Sequence, residues 1–310
     1  MPSTPDAHAR RLSRRGFLGA GSLALGSAAG AHAPKTIVFI ADRPSHEFGG
    51  HECNAGCLLL AKCLEQNVPG VRTVVHRNGW PADQALGKPA AVVMITNGGP
   101  NHPAARHLDE LEGAMRAGAG LAAVHWALGG GERCLDWLGG YYEPNWSVNP
   151  FWTARFTELT EHPVTRGVKP FAIYDEWYFN MRFRPGMAGV TPLLTAVPPE
   201  STRQGPFGPH TGNPTVRARK GMPEHVAWAY ERPGGGRGFG FTGAHYHWAW
   251  GVDDFRKIVL NGIAWSAGIT IPANGIRSAT PSWEALLENL DKPMPSGFTR
   301  EQAEAAIRPR

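Results

Sequence analysis

Lys35-Thr-Ile-Val-Phe-Ile-Ala41 is a short, unbroken apolar run, as expected of a parallel strand buried on both faces. It gives way to the polar loop Asp42-Arg-Pro-Ser-His-Glu-Phe-Gly-Gly-His-Glu-Cys-Asn54 and then to an amphipathic helix reaching about Gln66. A polar, glycine-containing loop between a first strand and a helix is where doubly wound sheets place the groups that touch ligands. This loop offers His46, Glu47, His51 and Glu52, more chemistry than a merely solvated turn needs. It contains no G-x-G-x-x-G and no phosphate-binding loop, so no nucleotide cofactor is expected.

The pattern repeats downstream. Residues 71–76 and 90–96 read as the second and third strands, and Asn97-Gly-Gly-Pro-Asn-His102-Pro follows the third. Residues 104–117 form an amphipathic helix with Leu108, Leu111 and Met115 on its apolar side, stopped by Gly118. Gly118-Ala-Gly-Leu-Ala-Ala-Val-His125-Trp-Ala-Leu-Gly129 is then a fourth strand and a sharp turn into a helix. Such an elbow exposes a reactive side chain. Here that side chain is His125, without a Ser or Cys beside it, which disfavours a Ser or Cys nucleophile. A structural His packed under the sheet is the competing reading.

Residues 139–185 leave this alternation. A turn-rich aromatic loop is followed by extended pieces near 154–159 and 171–174, then by Asp175-Glu-Trp-Tyr178. The paired carboxylates can supply a general base or an oxygen ligand, or they can be salt-bridged to Arg182 and Arg184. Strands at 190–197 and 226–231 flank a Pro/Gly-rich loop, 198–223. Next comes Arg237-Gly-Phe-Gly-Phe-Thr-Gly-Ala-His-Tyr-His-Trp-Ala-Trp250, a strand whose small residues admit a second backbone or a ligand. His245 and His247 lie two residues apart, so extended geometry points both imidazoles to one face. That pair suits a metal or an oxyanion, or else two histidines hydrogen-bonded in an aromatic core. A closing helix spans 253–267, and the Pro/Ser-rich tail carries one possible helix at 282–290.

Ser13-Arg-Arg-Gly-Phe-Leu18, a weakly apolar run and Ala29-Gly30-Ala31 read as a twin-arginine leader over residues 1–31. The expected organisation is that leader, a domain over 34–276 and a tail over 277–310, in a periplasmic or secreted protein. The whole chain carries a formal charge of +5, but the leader holds four Arg and one Asp, leaving 27 basic against 25 acidic residues. No basic stripe suggests nucleic acid, and after removal of the leader no run is long enough to span a membrane. Three of the four cysteines, Cys53, Cys57 and Cys63, fall in one helix, where disulfide geometry is poor, so all four read as small buried hydrophobes.

Set side by side, these pieces resemble the ThuA-like (trehalose-utilisation) family over roughly residues 35–276. The resemblance rests on the Pro44-Ser-His-Glu-Phe-Gly-Gly-His-Glu-Cys-Asn-Ala-Gly56 loop, the Val124-His-Trp-Ala127 elbow, Asp175-Glu-Trp-Tyr178 and Gly243-Ala-His-Tyr-His247. It implies an α/β, flavodoxin-like doubly wound sheet of the class I glutamine-amidotransferase kind, with loop insertions. The elbow cysteine of amidotransferases is replaced by His125, so glutaminase chemistry does not carry over. It also implies sugar catabolism, with oxidised (3-keto) glycosides as substrates of an elimination or hydrolysis.

On this reading His46, His51, His245 and His247 hold a divalent metal (Zn²⁺, Mn²⁺ or Fe²⁺). Glu52 or His125 is the base, and Asp175 and Tyr178 position hydroxyls or protonate the leaving group. Trp126, Asn149, Trp152, Glu176 and Trp248 are the sugar contacts. The alternatives are a non-catalytic carbohydrate-binding module stacking sugars on Trp146, Trp152, Trp177, Trp248 and Trp250, and a structural domain.

Overall fold

In the computed structural model the described residues are 33–81, 86–204 and 213–310. The expected leader and the middle of the 198–223 loop lie outside them. The strands are β1 (Lys35–Ala41), β2 (Val71–His76), β3 (Ala91–Ile95), β4 (Gly120–Val124), β5 (Gly140–Tyr141), β6 (Phe151–Phe156), β7 (Phe171–Glu176), β8 (Arg182–Phe183), β9 (Val190–Ala196), β10 (Glu224–Glu231) and β11 (Arg237–Phe241). Seven of them form the central sheet in the order β2-β1-β3-β4-β11-β10-β9. The first five in that order run parallel, and β10 pairs antiparallel with both β11 and β9.

The unbroken apolar runs are explained by register. Phe39 pairs with Val93, Val93 with Ala122, and Ala122 with Phe239, a row of side chains with no exposed surface. Their neighbours Val38, Val92 and Leu121 pair in the same way and point to the opposite face, where they are buried as well. Alternate residues point to opposite faces, and both faces are covered, so every position must be apolar. The helices Cys53–Asn67 and Asp253–Ser266 cover the first face. The helices Leu108–Arg116 and Cys134–Leu138 cover the second.

The strand expectations for 35–41 and 71–76 are met residue for residue. The helix expected over 104–117 is two elements, a 3₁₀ turn at Pro103–Arg106 and an α-helix at Leu108–Arg116. The His102 ring accepts the Ala104 N–H and starts the first, and Asp109 and Glu110 favour the positive first turn of the second. All four cysteines are free and buried, three of them in the Cys53–Asn67 helix. No helix among the described residues is long and apolar enough to cross a membrane.

The tail is packed into the same core. Arg256, buried, donates to the carbonyls of Ser278 and Ala279. Farther on, the short helix Trp283–Leu287 and the helix Arg300–Ile307 bury Leu286, Ala303 and Ile307 against the first face. Thr299 and Gln302 close a reciprocal capping box on the last helix. Trp283 and Phe298 stack around Trp248, and Phe298 also meets Phe48 in the loop after β1.

Candidate metal centre

Four loops at strand ends converge. After β1 the chain folds back through Gly49, Gly50 and His51 and pairs with the segment after β11: the His51 N–H donates to the His245 carbonyl at 2.9 Å and the His247 N–H to the Gly49 carbonyl at 2.9 Å. This pairing sets His51 beside His245. Gly49, at φ +81°, is required there, because a Cβ would sit 2.7 Å from the Trp248 ring. After β4, His125 opens a 3₁₀ turn at φ +57°. At the end of β7, Asp175 and Glu176 arrive from the β6–β7 hairpin.

Asp175 has no exposed surface and ties two of these loops together. Its carboxylate accepts the N–H of Ala244 at 2.7 Å, of Glu176 at 2.9 Å and of Tyr246 at 3.3 Å. Ala244 is thereby held at φ +86°, and His125, His51 (φ +48°) and Ala244 are three non-glycine residues in the left-handed region. Each such residue costs on the order of 1–3 kcal/mol, and strain of this kind collects at functional sites.

The atoms delivered are His51 Nε2, His125 Nε2, His245 Nδ1 and Glu176 Oε2. His51 Nε2 lies 3.1 Å from His125 Nε2. Glu176 Oε2 lies 3.2 Å from His125 Nε2, 3.0 Å from His245 Nδ1 and 3.9 Å from His51 Nε2. One ligand atom from each residue falls within 4.8 Å of the others. A tetrahedral shell with bonds of about 2.0–2.1 Å sets its ligand atoms about 3.3 Å apart, so the four residues fit one small ion. Tautomers agree. His125 Nδ1 is 2.8 Å from the Thr242 carbonyl and can only donate to it, which leaves the lone pair on Nε2. That lone pair then faces a carboxylate oxygen, and a positive centre belongs between two such acceptors.

The ThuA family, described as trehalose utilisation, is matched over residues 39–266. The chain belongs to the ThuA family. A ThuA-like protein of Parabacteroides merdae ATCC 43184 is similar at 16% identity and TM-score 0.48, over 82% of this chain and 98% of that one. Another, from Bacteroides uniformis ATCC 8492, gives 17% and 0.49, over 77% and 93%. PurLQS from Thermotoga maritima gives 14% and 0.38, over 76% and 98%. No curated protein matches the sequence.

In this ThuA-family chain the expected site residues fall into three groups. His51 and His245, expected as ligands, His125, expected as a base, and Glu176, expected as a sugar contact, make the cluster. Around it, Tyr178 Oη lies 3.1 Å from His125 Nε2, and Asn149 Nδ2 donates to Glu176 Oε1 at 2.9 Å. His46 stacks on the His51 ring at 3.6 Å, and Trp126 meets both rings edge-on.

The remaining residues are not part of the cluster. Extended geometry does not persist to His247: with the turn at Ala244 and a 3₁₀ turn starting at His247, its ring is not among the four converging groups, although it lines a small cavity together with His51 and His125. His247 is buried, with neither ring nitrogen hydrogen-bonded. The Glu52 carboxylate is taken up by the N–H groups of Gly49 (2.9 Å) and Asp291 (2.6 Å), so it braces the loop and the tail. Trp152 and Trp248 are 2% and 5% exposed and offer no open face to a sugar. Trp177 and Trp250 are buried too, and Arg182 lies over the Trp146 ring at 3.4 Å. The salt-bridge alternative for Asp175 and Glu176 does not form: Arg182 pairs with Glu143 and Arg184 with Asp136.

Ser45, Asn97, Thr242 and Asp291 were not singled out as site residues by the sequence. Asn97 was findable, since it opens a strand-end loop; the Thr242 carbonyl and the Asp291 N–H act through backbone, which side-chain patterns do not report.

Burial drives the His51 imidazole down from 6.5 to about 3 and that of His247 to about 4. Burial pushes the Glu176 carboxyl up, but the imidazoles of His125, His245 and His51 gathered around it outweigh that and hold the group well below its usual range. The sign for stability follows. Between about pH 6.5 and pH 4 the unfolded imidazoles bind protons that the folded ones refuse, so the metal-free protein is most stable above 6.5 and loses stability as pH falls toward 4. Thermal midpoints measured across that range should fall steadily. A flat profile would contradict neutral, buried imidazoles.

Proposed function

We propose that this ThuA-family chain holds a divalent cation (Zn²⁺, Mn²⁺ or Fe²⁺) on His51, His125, Glu176 and His245 and cleaves oxidised, 3-keto glycosides. The observation that carries the reading is the His125 lone pair set 3.2 Å from a carboxylate oxygen within a cluster of three imidazoles. A bound divalent cation would supply Lewis acidity toward a substrate oxygen. The chain supplies the rest. Thr242 fixes the tautomer of His125, Asn149 orients Glu176, and Asp175 holds the Ala244–Tyr246 backbone. Trp126, half-buried, lends an aromatic edge. Buried Tyr178 can hand its proton toward the cluster.

In a 3-keto glycoside the carbonyl acidifies the C2 proton. Its loss lets the C1 glycosidic bond break by β-elimination, and addition of water completes a net hydrolysis. The same proposal takes the chain to the periplasm or the medium through the leader at residues 1–31.

Metal-loaded protein offered matched pairs of 3-keto and parent glycosides should release aglycone from the keto members alone. Equal cleavage of both members, or of neither, overturns this reading.

A further inference from the structure

The geometry points to His46 as the proton acceptor of the site, set in its Nε2-accepting tautomer by a relay through Ser45 and Asn97. This rests on the substrate reading above and assigns a residue that the metal cluster does not contain.

The relay is fixed from its far end. The Asn97 side-chain amide is oriented by Nδ2, which donates to the Arg43 carbonyl at 3.3 Å, so Oδ1 is the atom turned to Ser45. Ser45 donates its single hydroxyl proton to that Oδ1 at 2.7 Å. With its proton spent, Ser45 Oγ must accept at its other contact, His46 Nδ1 at 2.7 Å. His46 therefore carries its proton on Nδ1, and the lone pair is on Nε2. The base of the relay is itself anchored: the Asn97 N–H donates to Asp42 Oδ2 at 3.0 Å.

His46 cannot share the ion with His51. The two rings stack with centroids 3.6 Å apart and planes 17° from parallel. Imidazole lone pairs lie in the ring plane, so nearly parallel stacked rings do not aim at one point. His46 is half-buried while His51 and His125 are buried, so it is the more solvent-accessible imidazole beside the cluster. Trp126 and His245 meet its ring edge-on at 6.1 and 5.7 Å and keep it in place.

The step balances. The C2–H bond of the keto sugar breaks, its proton goes to His46 Nε2, and its electron pair stays in the sugar as the C2–C3 enediolate. When the C3 carbonyl re-forms, that pair becomes the C1–C2 double bond and the C1–O pair leaves on the glycosidic oxygen. The imidazolium returns its proton to that oxygen, and His46 is neutral again. Ser45 and Asn97 are positioning residues throughout.

The test uses the full-length mature protein loaded with Zn²⁺. Nitrogen-15 spectra of the histidines should show His46 protonated at Nδ1 and bare at Nε2, and Ser45→Ala should mix the tautomers while Ser45→Thr restores the first. His46→Gln should keep the wild-type metal stoichiometry yet lose about 10² to 10⁴-fold in turnover and in exchange of the C2 proton with deuterated solvent. An Nε2-protonated His46, or a His46→Gln variant that turns over at the wild-type rate, sinks the inference and leaves the substrate reading standing. A wild-type protein inert on every keto glycoside sinks the substrate reading, and the nitrogen spectra then decide the relay alone.

Discussion

His125→Ala is expected to empty the metal centre and to lower turnover of a 3-keto glycoside by at least about 10²-fold, with the fold intact. His125 Nε2 is the atom around which the others gather, at 3.1 Å from His51 Nε2, 3.2 Å from Glu176 Oε2 and 3.1 Å from Tyr178 Oη. Removing it leaves three donors and a gap on the sheet side. Stability should respond in the opposite sense at the same position. His125 sits at φ +57°, where any side chain is strained and glycine is not. His125→Gly should therefore be more stable than His125→Ala by about 1 kcal/mol, and melt at a higher temperature, while binding metal no better. Thermal melts and metal analysis of both variants check this together. Full metal occupancy in either would remove His125 from the ligand set.

Asp175→Asn is expected to cost about 2–4 kcal/mol of folding stability and most of the metal affinity, although it changes one atom. The carboxylate accepts three backbone N–H groups, one on Oδ2 and two on Oδ1, with no exposed surface. An asparagine offers one acceptor oxygen. Whichever way it turns, its NH₂ group meets a backbone donor, so at least one buried N–H is left without a partner. The segment that moves carries His245, and the residue next along is Glu176. Chemical denaturation of the metal-free variant and a zinc titration of the folded one measure the two effects. A variant within about 0.5 kcal/mol of wild type, binding zinc normally, would mean that Asp175 does not hold these loops, because that is the usual scatter of an inert substitution.

The sequence carried most of the fold and about half of the site, and the division has a physical cause. Strands such as Lys35–Ala41 are legible because burial on both faces demands an apolar residue at every position. The loops holding His46, His51 and His125 are legible because they follow such strands. His247 joins the site only if extended geometry continues past Phe241. It does not, because Asp175, some 70 residues away in sequence, captures the Ala244 N–H and turns the backbone there.

The two adjacent carboxylates could not be told apart beforehand. Alternation along the strand Phe171–Glu176 turns Asp175 toward backbone donors and Glu176 toward the imidazoles, and only the partners reveal which is which. Glu52 misled for a similar reason. Its second partner is the Asp291 N–H in a tail whose composition gave no sign of reaching the site.

His51, His125, Glu176 and His245 are proposed to hold one cation. Metal analysis of the purified protein, after incubation with zinc, manganese or ferrous iron and removal of excess, tests it most directly. About one ion per chain is expected in the wild type, with His46→Gln and His247→Ala unchanged and Glu176→Gln depleted. No ion retained by the wild type with any of the three metals, or one retained equally by Glu176→Gln, would contradict it.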